Sequence, residues 1–311
     1  MLAEQIGFDS VWVIDSQLLC RDVTVTLTAI LARTTRLLAA TGVTQPVTRH
    51  ASVMACGMAS LAEMSGNRAV MGIGTGFSSL RTIGRKAAPI ASVEAYVDIV
   101  RRLLSGQSVR FDGETDGRLA WLDEPVDVPI VIAATGPRMT RAAARIADGA
   151  ILHQGLSPDL LGRAVGWAAE GAKDRTLPRK MEISCWTPYS LGASPAEARD
   201  RVRARVAGAL VNVQPGWFAG AEREAVERLQ ARYDVAHHAS AAPEHAAIVP
   251  DSLVDRYALA GTADELRDRF AALLDQPGID RVILTPQVIG AGAQPLDAVL
   301  RELERDVLRH I

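Results

Sequence analysis

A parallel (β/α)8 barrel is the fold the sequence predicts, on three observations. Short apolar runs alternate with helix-period stretches along nearly the whole chain, the pattern of strand–helix units feeding one parallel sheet. The run 69–73 is continuously apolar, which is how a strand buried on both faces reads. No short self-similar period is present, so a solenoid is set aside.

Taken in order, residues 1–6 read as the end of a helix stopped by Gly7, and 8–14 as a strand ending at Asp15-Ser16. Residues 23–33 form a helix, and 37–41 form a buried strand halted by Gly42. Gln45-Pro46 marks a turn, because Pro46 pushes its predecessor out of helical geometry. Thr48 is expected to cap a helix running to Glu63, which Gly66-Asn67 closes. The strand 69–73 then runs into Gly74-Thr75-Gly76, where bare backbone can approach a neighbour closely. A loop over 81–89 precedes an amphipathic helix over 93–104. The stretch 109–122 reads as a hairpin, with Asp112-Gly113 and Asp116-Gly117 as its turn signals.

The second half continues the alternation: strand 128–133, helix 137–147, strand 150–152, helix 158–172 and strand 181–190. After Ala207 the pattern loosens, and 210–257 reads as a helical insertion or lid within a single barrel domain spanning 1–311. Helix 262–274, strand 281–285 and helix 296–309 close the chain. The strands number seven, and the chain opens on a helix end where a barrel opens on a strand.

With 48% apolar residues, 23% charged residues and a net charge of −2, the chain has ample core and no electrostatic case for nucleic acid or an acidic membrane. Cys20, Cys56 and Cys185 are isolated, fitting reduced structural thiols, with Cys56 expected in the core. No apolar run approaches the ~20 residues of a membrane span and no signal peptide opens the chain, so a cytoplasmic protein is expected. His237, His238 and His245 lack metal-ligand spacing and read as a solvated loop, and Trp12 reads as core. No metal site and no Ser-His-acid set is visible.

Several stretches then carry a resemblance: Gly7-Phe8-Asp9-Ser10-Val11-Trp12-Val13, Thr41-Gly42-Val43 with Pro46 and Thr48-Arg49-His50, and Gly66-Asn67-Arg68 running into Gly72-Ile73-Gly74-Thr75-Gly76. Ile132-Ala133-Ala134-Thr135-Gly136-Pro137-Arg138 and Ala147-Asp148-Gly149-Ala150-Ile151-Leu152 extend it. The chain resembles the bacterial-luciferase-like superfamily, and within it the deazaflavin-dependent branch of 5,10-methylenetetrahydromethanopterin reductase. The resemblance implies a luciferase-like barrel whose first strand lies before Met1. It also implies a hydride-transferring oxidoreductase that uses coenzyme F420 on a small organic substrate, with homodimers common. FMN-dependent monooxygenation is the alternative, and a non-catalytic flavin-binding relative the second alternative.

By the same resemblance, Asp15, Thr41, Gly42 and Val43 bind the cofactor, with a non-proline cis peptide at Gly42–Val43 bulging against its ring. Gly74, Thr75 and Gly76 pass close to the ring or tail. Ala134, Thr135, Gly136 and Pro137 hold the tail phosphate at a helix start, where free amides and the helix dipole favour an anion. His153 and Gln154 offer hydrogen bonds to cofactor or substrate. Two positions depart from the family: Ser16 stands where a sugar-phosphate branch carries histidine, and Phe77 stands where an acidic residue is common. No catalytic acid or base is therefore assigned, and Phe77 makes the expected pocket mouth more apolar.

Overall fold

The computed structural model describes residues 1–111, 113, 116–288 and 293–311. It resolves into two compact units: Met1–Ala133 with Ala142–Gly149 and Asp174–Met181, and Ala134–Arg141 with Ala150–Lys173 and Glu182–Ile311. Among the described residues no helix is long and apolar enough to cross a membrane.

In the first unit, β1 (Ser10–Val13), β2 (Leu38–Thr41) and β3 (Ala69–Ile73) lie side by side and parallel, and the strand Ile130–Ala134 follows on the far side of β3. Every residue of β3 is buried, as the continuous apolar run required. The helices Val23–Leu31, Ala51–Ser65 and Ile90–Leu104 turn their apolar faces inward, with Leu27, Met58 and Val100 each at most 1% exposed. Burying such side chains contributes about 1.5–3 kcal/mol each. Gly66 takes the left-handed φ of +66° that ends the second of these helices.

Three local readings change. The helix expected from Thr48 begins at Ala51, with His50 as its cap. Thr48 is held instead by Gln45, whose Oε1 accepts from the Val47 and Thr48 amides at 2.6 and 3.2 Å and whose amide nitrogen donates to the Thr48 hydroxyl. The hairpin consists of β4 (Val109–Arg110) and β5 (Asp116–Gly117), so Asp116-Gly117 is strand and not turn. Asp112 lies outside the described residues. Cys56 is half-buried, not core.

The strand Ile130–Ala134 is β6. In the second unit, β7 (Gly149–Leu152), β8 (Glu182–Leu191) and β10 (Arg281–Pro286) follow one another in the sheet, and β9 (Leu259–Gly261) pairs with β8. β8 pairs in parallel with both β10 and β9. β9 is a strand the sequence reading did not assign, and it lies off the main order of the sheet. Its three residues, Leu-Ala-Gly, are too few to show a period, and it joins the sheet through its register with Tyr189, Ser190 and Leu191. A capping box at Thr262 and Glu265 starts the next helix, Ala263–Leu274, immediately after it.

Helix Pro195–Leu210 occupies a stretch to which the pattern assigned no element, because its seven buried residues are small or branched among many arginines. It forms a core with Phe218, Val226, Leu229, Leu253, Val254 and Tyr257, so 210–257 is a packed helical segment, with no strand among its described residues.

One packing constraint in the first unit is tight enough to test. A Cβ on Gly72 would stand 2.2 Å from the Thr41 carbonyl oxygen and 2.9 Å from the Trp12 ring, whereas one on Gly57 would meet only a Thr24 methyl at 3.9 Å. We expect Gly72→Ala to destabilise the chain by at least ~1–3 kcal/mol through overpacking. Gly57→Ala, inside a helix with room to spare, should be neutral or stabilising by up to about 1 kcal/mol. Urea melts of the two variants check the contrast.

Candidate functional site

In the first unit the segments after β1, β2 and β3 meet. The Gly42–Val43 peptide is cis, as the resemblance implied. Gly72 anchors both sides of it: its carbonyl accepts the Thr41 hydroxyl at 2.6 Å and the Thr44 amide at 2.9 Å. The Gly74 amide then donates to the Thr44 carbonyl at 2.9 Å. A side chain on Gly74 would press on Val43 at 3.2 Å, and one on Gly76, at a φ of +86°, would meet Leu80 at 2.6 Å. Thr75 closes this loop by accepting the Ala88 amide at 2.8 Å. Asp15, Thr41, Gly42, Val43, Gly74, Thr75 and Gly76 therefore belong to one construction, and bare backbone is what allows it.

Asp15 is the polar centre of that construction. Its buried carboxylate accepts from the Thr44 hydroxyl at 2.7 Å and from Arg49 at 3.2 and 3.3 Å. Arg49 also reaches Asp22 at 2.8 Å, and its carbonyl accepts the Tyr96 hydroxyl at 3.0 Å. Arg49 and the Val25 amide hold the Asp22 carboxyl below its usual range, while burial pushes the Tyr96 phenol up. Arg49, which the sequence shows only as part of the Thr48-Arg49-His50 stretch, is a clamp between two carboxylates. Ser16 pairs with the Ser78 hydroxyl at 3.2 Å, and the Arg81 guanidinium lies over the Phe77 ring, 4.7 Å from its centre.

The second unit gathers the remaining candidates. Helix Pro137–Ile146 starts directly after Ala134, Thr135 and Gly136, with proline at its first position. The Gly136 carbonyl accepts both the amide and the hydroxyl of Thr140 at 3.0 Å, and a Cβ on Gly136 would meet nothing within 4 Å. The His153 amide donates to the Ala134 carbonyl at 3.2 Å, placing the end of β7 beside this helix start. Gln154 is 2% exposed; its amide nitrogen donates to the Thr140 hydroxyl at 3.4 Å, while its Oε1 has no hydrogen-bond partner.

Burial pushes the His153 imidazole down to about 4, so the ring is neutral at pH 7. The Trp186 ring meets it edge-on with centres 6.5 Å apart. Thr44, Thr140 and Trp186 are participants the sequence did not single out. Thr140 carried a usable signal, standing four residues after the glycine that caps its helix. Trp186 carried none, because its partner is distant in sequence.

The comparisons with known proteins bear on this arrangement. A family model described as luciferase-like monooxygenase matches residues 1–281. The chain belongs to the luciferase-like monooxygenase family. Among its relatives, the 5,10-methylenetetrahydromethanopterin reductase of Methanolobus tindarius is 30% identical over 88% of this chain and 85% of its own length. The F420-dependent glucose-6-phosphate dehydrogenase of Nakamurella multipartita is 38% identical over 51% of each chain. Among solved structures, the coenzyme F420-dependent tetrahydromethanopterin reductase of Methanopyrus kandleri superposes with a TM-score of 0.78 at 22% identity, covering 99% of this chain and 93% of the other. The fold is thus the luciferase-like form of the (β/α)8 barrel.

Two outcomes follow for this luciferase-like chain. Arg49→Met should cost roughly 2–3 kcal/mol, because it strands the Asp15 carboxylate; that is below the ~3–5 kcal/mol of a fully buried pair, since Arg49 is 22% exposed. Guanidinium chloride unfolding measures it. For His153 the folded value lies below the unfolded one of about 6.5, so the unfolded state binds more protons between about 6.5 and 4. Stability should fall with pH through that window by up to ~1.4 kcal/mol per pH unit. His153→Asn should remove this share, read as the difference between wild-type and variant melts at pH 7.5 and 5.0.

Proposed function

We propose that this chain is an oxidoreductase that uses coenzyme F420 to move a hydride to or from a small organic substrate. The observation that carries the reading is the unpartnered, buried Oε1 of Gln154 beside the open start of helix Pro137–Ile146. A buried acceptor without a donor costs about 1–3 kcal/mol, and a hydroxyl-bearing, phosphorylated cofactor offers both a donor and an anion. The names of two relatives support the choice of cofactor: a glucose-6-phosphate dehydrogenase and a tetrahydromethanopterin reductase, both F420-dependent. When bound, a deazaflavin supplies two-electron hydride chemistry.

The chain's own residues then have defined tasks. The first amides of helix Pro137–Ile146, with Thr135 and Gly136, would hold the tail phosphate, and Gln154 would accept from a hydroxyl of the same group. Within the first unit, Gly42, Val43, Gly74, Thr75 and Gly76 would offer bare backbone to a flat ring. Asp15 acts as a positioning residue, since its oxygens are already taken by Thr44 and Arg49. Neutral His153 offers a hydrogen bond and no charge at pH 7. Ser16 and Phe77 are poor proton donors near neutrality, which turns the reading away from sugar phosphates and toward a less polar organic substrate.

Fluorescence titrations with F420 and with FMN test this. Saturable micromolar binding of F420, at least tenfold tighter than FMN, is expected; preference for FMN would move the reading to flavin monooxygenation, and binding of neither would overturn it. Gln154→Leu should weaken F420 binding about tenfold, the equivalent of one hydrogen bond to a buried acceptor, with the unfolding midpoint little changed.

A further inference from the structure

Half of the chain's six histidines fall at 237, 238 and 245, and the structure sets the last two against one tyrosine. The Tyr233 hydroxyl meets His238 Nδ1 at 2.5 Å, and the Tyr233 ring lies against the His245 ring with centres 4.3 Å apart. His237 Nδ1 pairs with the exposed Asp234 carboxylate at 2.6 Å. His237 is exposed, as a solvated loop requires, but His245 is only 5% exposed and departs from that reading. It offers no metal-ligand set among the described residues.

The hydrogen bond to His245 decides the chemistry. The Asp234 backbone amide donates to His245 Nδ1 at 3.4 Å. An amide N–H can only donate, so this nitrogen must be bare, and the ring must be neutral with its proton on Nε2. The Tyr233–His238 bond differs: a hydroxyl can donate or accept, so it survives a proton on His238 Nδ1. Next to His245, Ala246 and Val249 join the core built on helix Pro195–Leu210 and helix Gly220–Arg232. His238 lies over Gly208 of the first helix, its ring carbon 3.3 Å from where a Cβ would stand.

We infer that residues 233–249 form a proton-operated latch: neutral His245 keeps this stretch seated on the two helices, and protonation at Nδ1 releases it. Burial lowers the His245 imidazole from its usual value, the direction the latch requires. Of the charged groups acting on it, Asp234 opposes release by favouring the cation, and His237 assists it when protonated. From helix Pro195–Leu210, Arg203 pairs with Asp200 and Asp251 and donates to the Val249 carbonyl at 2.7 Å, tying the far end of the stretch independently of pH. Release therefore opens the 233–245 end first.

Hydrogen exchange on the full chain between pH 7.5 and 5.0, corrected for intrinsic rates, tests the latch. Amide protection over 234–246 should fall by up to about tenfold per pH unit below about 6.5, while helix Ala51–Ser65 stays unchanged. His245→Asn, whose side-chain oxygen can take the Asp234 amide but no proton, should flatten that dependence; His237→Asn should leave it in place. If His245→Asn fails to fold, the His245 ring-proton titration in the wild type decides, and it must track the loss of protection. Protection that does not change with pH, a dependence that survives His245→Asn, or a titration out of step with exchange would each overturn the latch.

Discussion

The close approach of the Thr41 carbonyl to the α-carbon of Gly72 is the constraint on which the first unit depends. With any side chain at 72 the end of β2 could not lie where it does. That single absent methyl lets the Gly72 carbonyl take two donors from the neighbouring segment, one on either side of the Gly42–Val43 peptide. Thr44 is thereby aimed at Asp15, and Asp15 in turn orders Arg49. A steric condition in the sheet becomes a polar arrangement beside it, with every link as far as Asp15 made by backbone or by a short side chain.

The two units prepare for a ligand in different ways. The first satisfies its buried polar groups internally: Asp15, Thr41 and Thr44 all have protein partners. The second leaves an acceptor waiting on Gln154 and keeps the space over Gly136 open. Pre-formed backbone shape in one and unmet hydrogen-bonding capacity in the other are two distinct means of binding: shape limits what fits, and an unmet acceptor rewards what brings a donor.

Much of this was legible in the sequence because it rests on local rules. Gly66 ending a helix, Pro137 starting one and the apolar run of β3 are each decided within a few residues. The errors share the opposite cause. Thr48 is tied up by the Gln45 side chain, and the cap passes to His50; Leu259–Gly261 became a strand only because β8 pairs with it; and His245 was buried by helices that begin 25 and 50 residues before it. Among the candidate residues, the glycines were visible from their spacing, whereas the arginine clamp was not, because its two carboxylates sit 34 and 27 positions away.

That clamp has an evolutionary reading. Asp22 caps helix Val23–Leu31, Asp15 supports the segment after β2, and Tyr96 belongs to a third helix, yet all three meet the same arginine. No one of these positions can drift alone: a neutral residue at 49 leaves two acids facing each other, and a lost acid leaves the cation short of a partner. Among descendants of this chain, positions 15, 22 and 49 should therefore behave as a single inherited character, kept together or replaced together, even where the surrounding loops diverge.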